Sequence, residues 1–231
     1  MAGLYGARPH FYTATMIVTI DGPAGSGKST AARGLARRLG FEFLDTGAMY
    51  RAVALALSRL AIDFGSDKVP EVLTTLHLEM PPGHVLLNDE DVTTAIRTAA
   101  MNSASSKVAA VPPVRAFLVE QQRAIATGRN MVCEGRDQGT VVFPDATCKF
   151  FLVADPVARA HRRHRDLLAR GQALTFEQVL AEQEERDRRD SSRSVGPLKP
   201  AADAIIIDTS DLTPDQVIDH LEREVRRCIR G

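Results

Sequence analysis

The chain has 231 residues, a length that suits one substantial α/β domain with room for a small insertion. Its 29 basic residues balance its 29 acidic residues, so the charge gives no reason to expect a nucleic acid as a partner. No apolar run is long enough to cross a membrane, and residues 1–15 lack the apolar core of a signal peptide.

The cysteine spacing and the surface pattern predict the redox state, the compartment and the oligomeric state. Cys133, Cys148 and Cys228 are scattered and odd in number, a spacing that fits neither a metal site nor a disulfide framework. We therefore expect reduced thiols and a cytoplasmic protein. The chain has neither a heptad seam nor an obvious sticky edge, so we expect a monomer.

The first strong signal lies in residues 16–30, MIVTIDGPAGSGKST, which follow an N-terminal tail at 1–15. An apolar strand leads into a glycine-rich turn with the spacing G-x-x-x-x-G-K-S, the pattern of a phosphate-binding loop. Backbone N–H groups bind phosphate there, Lys28 reaches the β- and γ-phosphates, and Ser29 ligates Mg²⁺. The residues predicted to bind ATP are Gly22, Pro23, Ala24, Gly25, Ser26, Gly27, Lys28, Ser29 and Thr30.

Strand and helix signals alternate after this loop, which indicates a parallel sheet with helices on both faces. Strands are expected at 41–45, 131–133, 149–153 and 205–208, and helices at 28–39, 47–60, 99–127 with a break at 112–113, 156–170, 175–190 and from 214 onwards. Residues 66–97 differ, because Pro81-Pro82-Gly83 separates two short apolar segments and predicts a small hairpin. We interpret this stretch as an insertion that covers one side of the site.

Three polar motifs distinguish this chain from other phosphate-loop proteins. DTGAMYR (45–51) and GRDQGT (135–140) each follow a predicted strand, where open α/β sheets bind ligands. ERDRRDSSR (185–193) concentrates arginines and carboxylates near the end of the chain. The chain lacks the Asn-Lys-x-Asp motif that reads guanine, and it is short for a motor ATPase. These motifs favour a small-molecule kinase.

With these motifs the sequence resembles the bacterial cytidylate kinases from Ile17 to the C-terminal helix. The matching segments are IDGPAGSGKST, LDTGAMYR, NDEDVTTAIR, SSKVAAVPPVR, EGRDQGTVVFPDA, RDRRDSSRSVGPL and PAADAIIIDTS. The resemblance implies an α/β P-loop kinase core at 16–231, with a five-stranded parallel sheet flanked by helices. It also implies a monophosphate-binding insertion at about 66–97 and a lid at about 159–172. The implied reaction is Mg²⁺-assisted phosphorylation of CMP and dCMP by ATP.

The resemblance assigns roles to nine side chains around CMP. Arg51, Arg136 and Arg193 are implied to hold the acceptor phosphate, because guanidinium groups neutralise the repulsion between two polyanions. The other implied contacts are Ser106, Arg115 and Asp137 to cytosine, Arg186 and Asp190 to the ribose, and Thr46 to the nucleotide near its base or phosphate. Arg115 and Asp137 could instead form a structural ion pair, and the two roles are compatible.

Catalysis is expected to depend on cations rather than on a general base, since phosphoryl transfer has a loose transition state. Lys28 and the lid pair Arg162 and Arg163 are implied to be the catalytic residues. Arg159, Arg165 and Arg170 are interpreted as an exposed helix face, and His161 and His164, three residues apart, as no metal site. Asp21 and Asp155 follow apolar strands; we expect Asp21 to organise the loop and Asp155 to begin a turn.

Three alternatives stay open at this stage. LARRLGFEFLDTG also resembles the shikimate kinases, although those have a second Asp where Gly47 stands. Within the nucleotide kinases, UMP or dCMP could be the main acceptor. A non-catalytic module that uses ATP as a switch is the remaining class, although it has no need for a second cluster of arginines.

Overall fold

The computed structural model describes residues 15–169 and 171–229, so the predicted tail and Arg170 lie outside the described residues except for Thr15. The strands are β1 (Ile17–Asp21), β2 (Glu42–Asp45), β3 (Leu78–Glu79), β4 (Leu86–Leu87), β5 (Glu90–Asp91), β6 (Met131–Gly135), β7 (Cys148–Val153) and β8 (Ile205–Asp208). The helices are α1 (Lys28–Leu39), α2 (Thr46–Arg59), α3 (Val69–Thr74), α4 (Ala99–Val108), α5 (Pro112–Ala126), α6 (Pro156–Leu168), α7 (Phe176–Ser191) and α8 (Pro214–Cys228). A 3₁₀ turn lies at Ala95–Arg97 and a π-helical turn at Gln138–Val142.

A parallel sheet with the order β2-β6-β1-β7-β8 forms the centre of the described chain. One face packs against α2, the insertion and α5, with Met49 and Leu118 fully buried there. The other face packs against α1 and α8 through Leu35 and Leu221. Covering on both faces explains why β1, β6 and β7 are buried along almost their whole length and are mostly apolar. The predicted fold class is confirmed.

The carboxyl ends of three neighbouring strands bring the polar motifs together. β1 ends at Asp21 before the phosphate loop, β2 ends at Asp45, and β6 ends at Gly135. In the parallel register Asp21 lies opposite Gly135, and Asp45 lies opposite Glu134. The loops that follow therefore leave the same edge of the sheet, which is where such sheets bind ligands.

Between α2 and α4 the chain forms α3 and a small antiparallel sheet, β3-β4-β5, rather than a single hairpin. The extra strand arises because Asn88 and Asp89 adopt positive φ angles of 49° and 66° and turn the chain a second time. Asn and Asp tolerate this left-handed conformation better than other residues with a β-carbon. The expected break at 112–113 is confirmed, since α5 begins at Pro112.

The cysteine prediction is wrong for one pair. Cys148 in β7 and Cys228 in α8 form a disulfide, with their Cα atoms 6.1 Å apart, whereas Cys133 is free and buried. The paired residues are 80 positions apart in sequence, and they meet because α8 packs against β7, a contact that spacing does not reveal. The cysteines therefore no longer argue for a reducing compartment. None of the helices at 15–169 and 171–229 is long and apolar enough to cross a membrane.

Candidate active site

The phosphate loop between β1 and α1 has the backbone that its glycines predict. Gly22 has a φ of 148°, and a β-carbon there would overlap the carbonyl oxygen of Leu152. Gly27, with a φ of 82°, occupies the cap position of α1, so the helix N-terminus opens towards the loop. A cavity of about 430 Å³ lies over Gly25–Ala31. This cavity is the candidate donor site.

Arg159 is buried and anchors the phosphate loop, so its interpretation as part of an exposed helix face is wrong. Its side chain is 6% exposed, donates to the carbonyl oxygens of Ala24 at 3.0 Å and Ala154 at 3.1 Å, and pairs with Asp187 at 2.5 Å. The sequence does not reveal this because Asp187 lies on α7, 28 positions further along the chain. Arg165, from the same predicted face, is exposed.

Glu134 is a candidate site residue that the sequence interpretation missed. It is buried at the end of β6, and its Oε2 accepts a hydrogen bond from Ser29 Oγ at 2.6 Å. The pKa of Glu134 is raised, first by burial and then by the charge of Asp45. The pKa of Lys28 is lowered, first by burial and then by the charge of Arg136. The Glu in EGRD, at the end of the strand beside β1, was the available signal. A hydroxyl and a carboxylate are hard oxygen ligands, so these residues fit Mg²⁺.

Asp21 holds the loop that follows β6. Its carboxylate oxygens accept the backbone N–H groups of Gln138 at 2.9 Å and Gly139 at 2.8 Å. Burial raises the pKa of Asp21 to about 7, even though these two donors favour the charged form. The sequence predicts that Asp21 organises the phosphate loop, but its carboxylate organises the loop that carries Arg136 and Asp137, because the parallel register places the end of β1 beside the end of β6.

A second cavity, of about 220 Å³, lies beside Lys28 and Ser29. It is lined by all nine of the residues that the resemblance assigns to CMP, namely Thr46, Arg51, Ser106, Arg115, Arg136, Asp137, Arg186, Asp190 and Arg193. The structure therefore brings together side chains drawn from four separate sequence motifs. Because Lys28 and Ser29 line both cavities, the candidate donor site and this second cavity, the candidate acceptor cavity, adjoin.

Asp190 is the centre of the arginine cluster. It is 1% exposed, pairs with Arg136 at 3.1 Å and with Arg193, and lies 3.9 Å from the Nε of Arg186. Burial alone would raise the pKa of Asp190, but the three guanidinium charges outweigh burial and lower it. Its Oδ1 also accepts from Ser106 Oγ at 3.3 Å. The carboxylate fixes three arginines that line one cavity.

Arg115 and Asp137 form a buried ion pair that also lines the acceptor cavity. The side chains are 3% and 4% exposed, and burial raises the pKa of Asp137 despite the nearby arginines. Gly196 packs directly against the pair, at a φ of 59°, in the segment that follows α7. The structural ion pair that the sequence left open is thus formed, beside a cavity where Asp137 can still meet a ligand.

Two side chains that follow β2 have protein partners. Thr46 lines the cavity, and its hydroxyl donates to the carbonyl oxygen of Glu134 at 2.7 Å. Arg51 pairs with Asp45 at 3.2 Å, while the other oxygen of Asp45 caps α2 by accepting from the N–H of Ala48. The first two turns of α2 therefore bring both side chains to the acceptor cavity.

The helix α6 places the expected lid arginines at the donor cavity. Arg162 donates to the carbonyl oxygens of Thr209 and Ser210, and Arg163 lines both cavities. Asp155 caps α6 by accepting from the N–H groups of Val157 and Ala158, as expected of a residue that begins a turn.

The two histidines of α6 have structural partners. His161 stacks on Phe176 with 4.3 Å between ring centroids. His164 lies 2.9 Å from the carbonyl oxygen of Leu174. In the described ranges no group of three or more His, Cys, Asp or Glu residues is arranged to hold a metal ion.

Comparison with known proteins identifies the family. The family model described as cytidylate kinase matches residues 18–227, which is most of the chain. The chain belongs to the cytidylate kinase family. The cytidylate kinase of Rhodopirellula baltica is 46% identical over 217 residues, covering 94% of this chain and 95% of the relative. The cytidylate kinase of Mycobacterium avium is 48% identical over 221 residues, covering 93% and 97%.

A cytidylate kinase from Pelotomaculum thermopropionicum reaches 50% identity over 208 residues, with 87% of this chain and 92% of the relative covered. Among solved structures, an uncharacterised protein from Eubacterium ventriosum matches with a TM-score of 0.53 at 14% identity, covering 92% of this chain and 99% of that one. At that identity the likeness concerns the fold alone.

Proposed function

We propose that this cytidylate kinase family member transfers the terminal phosphoryl group of ATP to CMP and dCMP. The observation that carries the proposal is the adjacency of two phosphate-binding centres, the phosphate loop and the arginine cluster around Asp190, with Lys28 lining both cavities. Two polyanions meet head-on in such a reaction, and fixed cations reduce their repulsion and align them.

The acceptor phosphate would be held by Arg51, Arg136 and Arg193. Each already pairs with a carboxylate, Arg51 with Asp45 and the other two with Asp190, so their guanidinium groups are oriented before a ligand binds. Preorganisation of this kind reduces the cost of ordering side chains on binding. Arg186 and Asp190 would contact the ribose, with Asp190 accepting from a sugar hydroxyl.

Cytosine would be selected at the buried pair of Arg115 and Asp137, with Ser106 nearby. The carboxylate of Asp137 can accept a hydrogen bond from the exocyclic amine of cytosine, which uracil lacks. A buried acceptor that UMP leaves unpaired costs about 1–3 kcal/mol. We therefore expect a clear preference for CMP over UMP rather than absolute exclusion. Thr46 would contact the nucleotide beside this pair.

At the transferring phosphoryl group Lys28, Arg162 and Arg163 would stabilise the charge on the equatorial oxygens. Mg²⁺, ligated through Ser29 with Glu134 beside it, would supply further positive charge to the donor phosphates when bound. No side chain need act as a general base. Asp21, at the end of β1, is not assigned that role, because both of its carboxylate oxygens accept hydrogen bonds from backbone N–H groups.

Two segments would exclude water during the reaction. We assign the lid role to about 159–172, because α6 carries Arg162 and Arg163 to the donor cavity. We assign monophosphate binding to the insertion at about 66–97, as the family resemblance implies. Closure over both nucleotides would suppress hydrolysis of ATP. The expected monomer and the cytoplasmic location stay predictions.

The test is ADP release from Mg-ATP with CMP, dCMP, UMP, AMP and shikimate offered separately. Strong turnover with CMP and dCMP, weaker turnover with UMP and none with the others supports the proposal. Turnover with shikimate would favour the other small-molecule kinases, and no acceptor-dependent turnover would favour a nucleotide-binding switch.

The role of Asp137 is tested by Asp137→Asn. The amide removes the charge and one acceptor, so the ratio of kcat/KM for CMP to that for UMP should fall by about tenfold, as expected for a loss near 1.4 kcal/mol. Asp203→Asn, at an exposed carboxylate that pairs with Lys149 and does not line the acceptor cavity, is the matched control and should leave the ratio unchanged. An unchanged ratio in Asp137→Asn would remove Asp137 from base selection.

A further inference from the structure

A groove of about 600 Å³ lies outside both nucleotide cavities. One wall is formed by α1 and the edge strand β2, and the other by residues 80–85 of the insertion together with Arg97. The volume is within the range of about 300–1,000 Å³ that is usual for small-molecule sites. Asp45 is the one described residue that lines both this groove and the acceptor cavity.

The walls of the groove are largely apolar. Phe41 and Val85 are buried and face it from opposite sides, and Phe43 and Met80 are half-buried beside them. Pro81 and Pro82 add rigid apolar surface. The guanidinium carbon of Arg33 lies 5.1 Å from the centroid of the Phe43 ring. A flat apolar group would contact aromatic side chains on the β2 wall and aliphatic side chains on the insertion wall.

The groove also has an excess of positive charge. Arg33, Arg37 and Arg97 line it, are exposed, and make no ion pair with any residue in the described part of the chain. Its two carboxylates already have arginine partners, since Glu42 pairs with Arg129 at 2.9 Å and Asp45 with Arg51 at 3.2 Å. His84 lies 2.7 Å from Asp91. Within residues 15–169 and 171–229, these three guanidinium groups therefore have no carboxylate partner.

We propose that this groove binds a small amphipathic anion, in which a flat apolar group carries a phosphate or a carboxylate. The apolar part would lie between Phe43 and Val85, and the anionic part would pair with Arg33 and Arg97, with Arg37 adding to the positive charge of the groove. A purely apolar ligand would leave the three arginines unpaired, and a simple inorganic anion would make no use of the apolar walls. The combination selects a ligand that has both parts.

A ligand in the groove would also act on the acceptor site. Asp45 caps α2 through Ala48, at 2.8 Å, and orients Arg51, which we assign to the phosphate of CMP. The same ligand would join the insertion to the core and so bias the distance between them. This step rests on the proposed function, and coupling of this kind is reciprocal. Occupancy of the groove should therefore change the affinity for CMP, and CMP should change the affinity of the groove.

The site is tested with 1-anilinonaphthalene-8-sulfonate, an aromatic anion whose fluorescence reports binding. The full chain is first saturated with CMP and a non-hydrolysable ATP analogue, so that both nucleotide cavities are filled. Saturable binding is expected, and the double variant Arg33→Gln/Arg97→Gln should weaken it by about tenfold or more, because two charge-assisted contacts are removed. Arg223→Gln is the matched control, an exposed arginine on α8 without an ion pair in the described chain.

Three results would overturn the site: binding that does not saturate, binding that the double variant leaves unchanged, or equal weakening in Arg223→Gln. Thermal melting of each variant excludes unfolding as the cause, and Arg37→Glu supplies a second substitution in the groove. Displacement of the dye by phenyl phosphate or by octanoate distinguishes a phosphate from a carboxylate ligand. Equal displacement by inorganic phosphate would contradict the need for an apolar part.

The coupling has its own readout. Affinity for CMP is measured by calorimetry with and without a saturating concentration of the dye, in the chain and in the double variant. A shift in the chain that is absent from the double variant supports the coupling. No shift, despite bound dye, overturns it. Failure of the proposed function would be seen separately, as absence of CMP turnover in the ADP-release assay without dye.

Discussion

Replacing Arg159 with methionine should destabilise the chain and weaken ATP binding in particular. The side chain is 6% exposed and joins three elements, because it contacts Ala24 of the phosphate loop, Ala154 before α6 and Asp187 of α7. Methionine keeps most of the apolar stem, so the loss concerns the charge and its hydrogen bonds. The substitution thus separates electrostatic anchoring from packing.

The magnitude follows from the partners. Removing one member of a buried ion pair costs about 3–5 kcal/mol, because the other charge is left without compensation. Asp187 keeps 19% of its side-chain surface exposed, so water can partly replace the guanidinium. We therefore expect the free energy of unfolding to fall by about 3 kcal/mol, at the lower end of that range. Loss of the contact to the Ala24 carbonyl should raise KM for ATP by about tenfold and KM for CMP much less.

The assay combines urea unfolding with steady-state kinetics for Arg159→Met, Asp187→Asn and the double variant. The double variant has no uncompensated carboxylate, so its destabilisation should be smaller than the sum of the single changes by about 2 kcal/mol. Arg226→Met is the control, since Arg226 pairs with Glu222 on the exposed side of α8 and should cost less than about 1 kcal/mol. If Arg159→Met is no less stable than this control, or if the two changes are additive, the anchoring role is refuted.

Two further predictions concern residues that position the acceptor site. Asp21→Asn should raise KM for CMP, because an amide cannot accept from both N–H groups of Gln138 and Gly139. Burial raises the pKa of Asp21 to about 7, so lowering the pH from 8 to 6 should protonate it in the unchanged chain. The ratio of KM for CMP in Asp21→Asn to KM for CMP in the unchanged chain should therefore fall towards one over this range, and a constant ratio would contradict the role of Asp21. Gly196→Ala should raise KM for CMP by about tenfold or more and leave KM for ATP unchanged, because its β-carbon would overlap Arg115. The control is Gly128→Ala, where φ is also positive but a β-carbon meets nothing within 4 Å; an equal effect there would attribute the loss to backbone strain alone.

The sequence by itself determined the fold class, the phosphate loop and the family. Each of these depends on local patterns, such as glycines at positions that need positive φ or apolar runs that become buried parallel strands. It also identified nine of the residues that line the acceptor cavity, because the motifs that carry the family resemblance place these side chains at recognisable positions along the chain. Local spacing was sufficient wherever the determining contacts lie within one motif.

Only the tertiary structure decided which charged side chains are buried and with what partner. Arg159 and Arg165 both lie on one charged helix in the sequence, yet α7 packs against one and leaves the other exposed. Glu134 meets Ser29 from 105 positions away, and Cys148 meets Cys228 from 80. The free-energy cost of burying a charge, and the reactivity of a thiol, depend on the groups around it. Those groups come from segments that are distant in sequence, so only the folded chain brings them together.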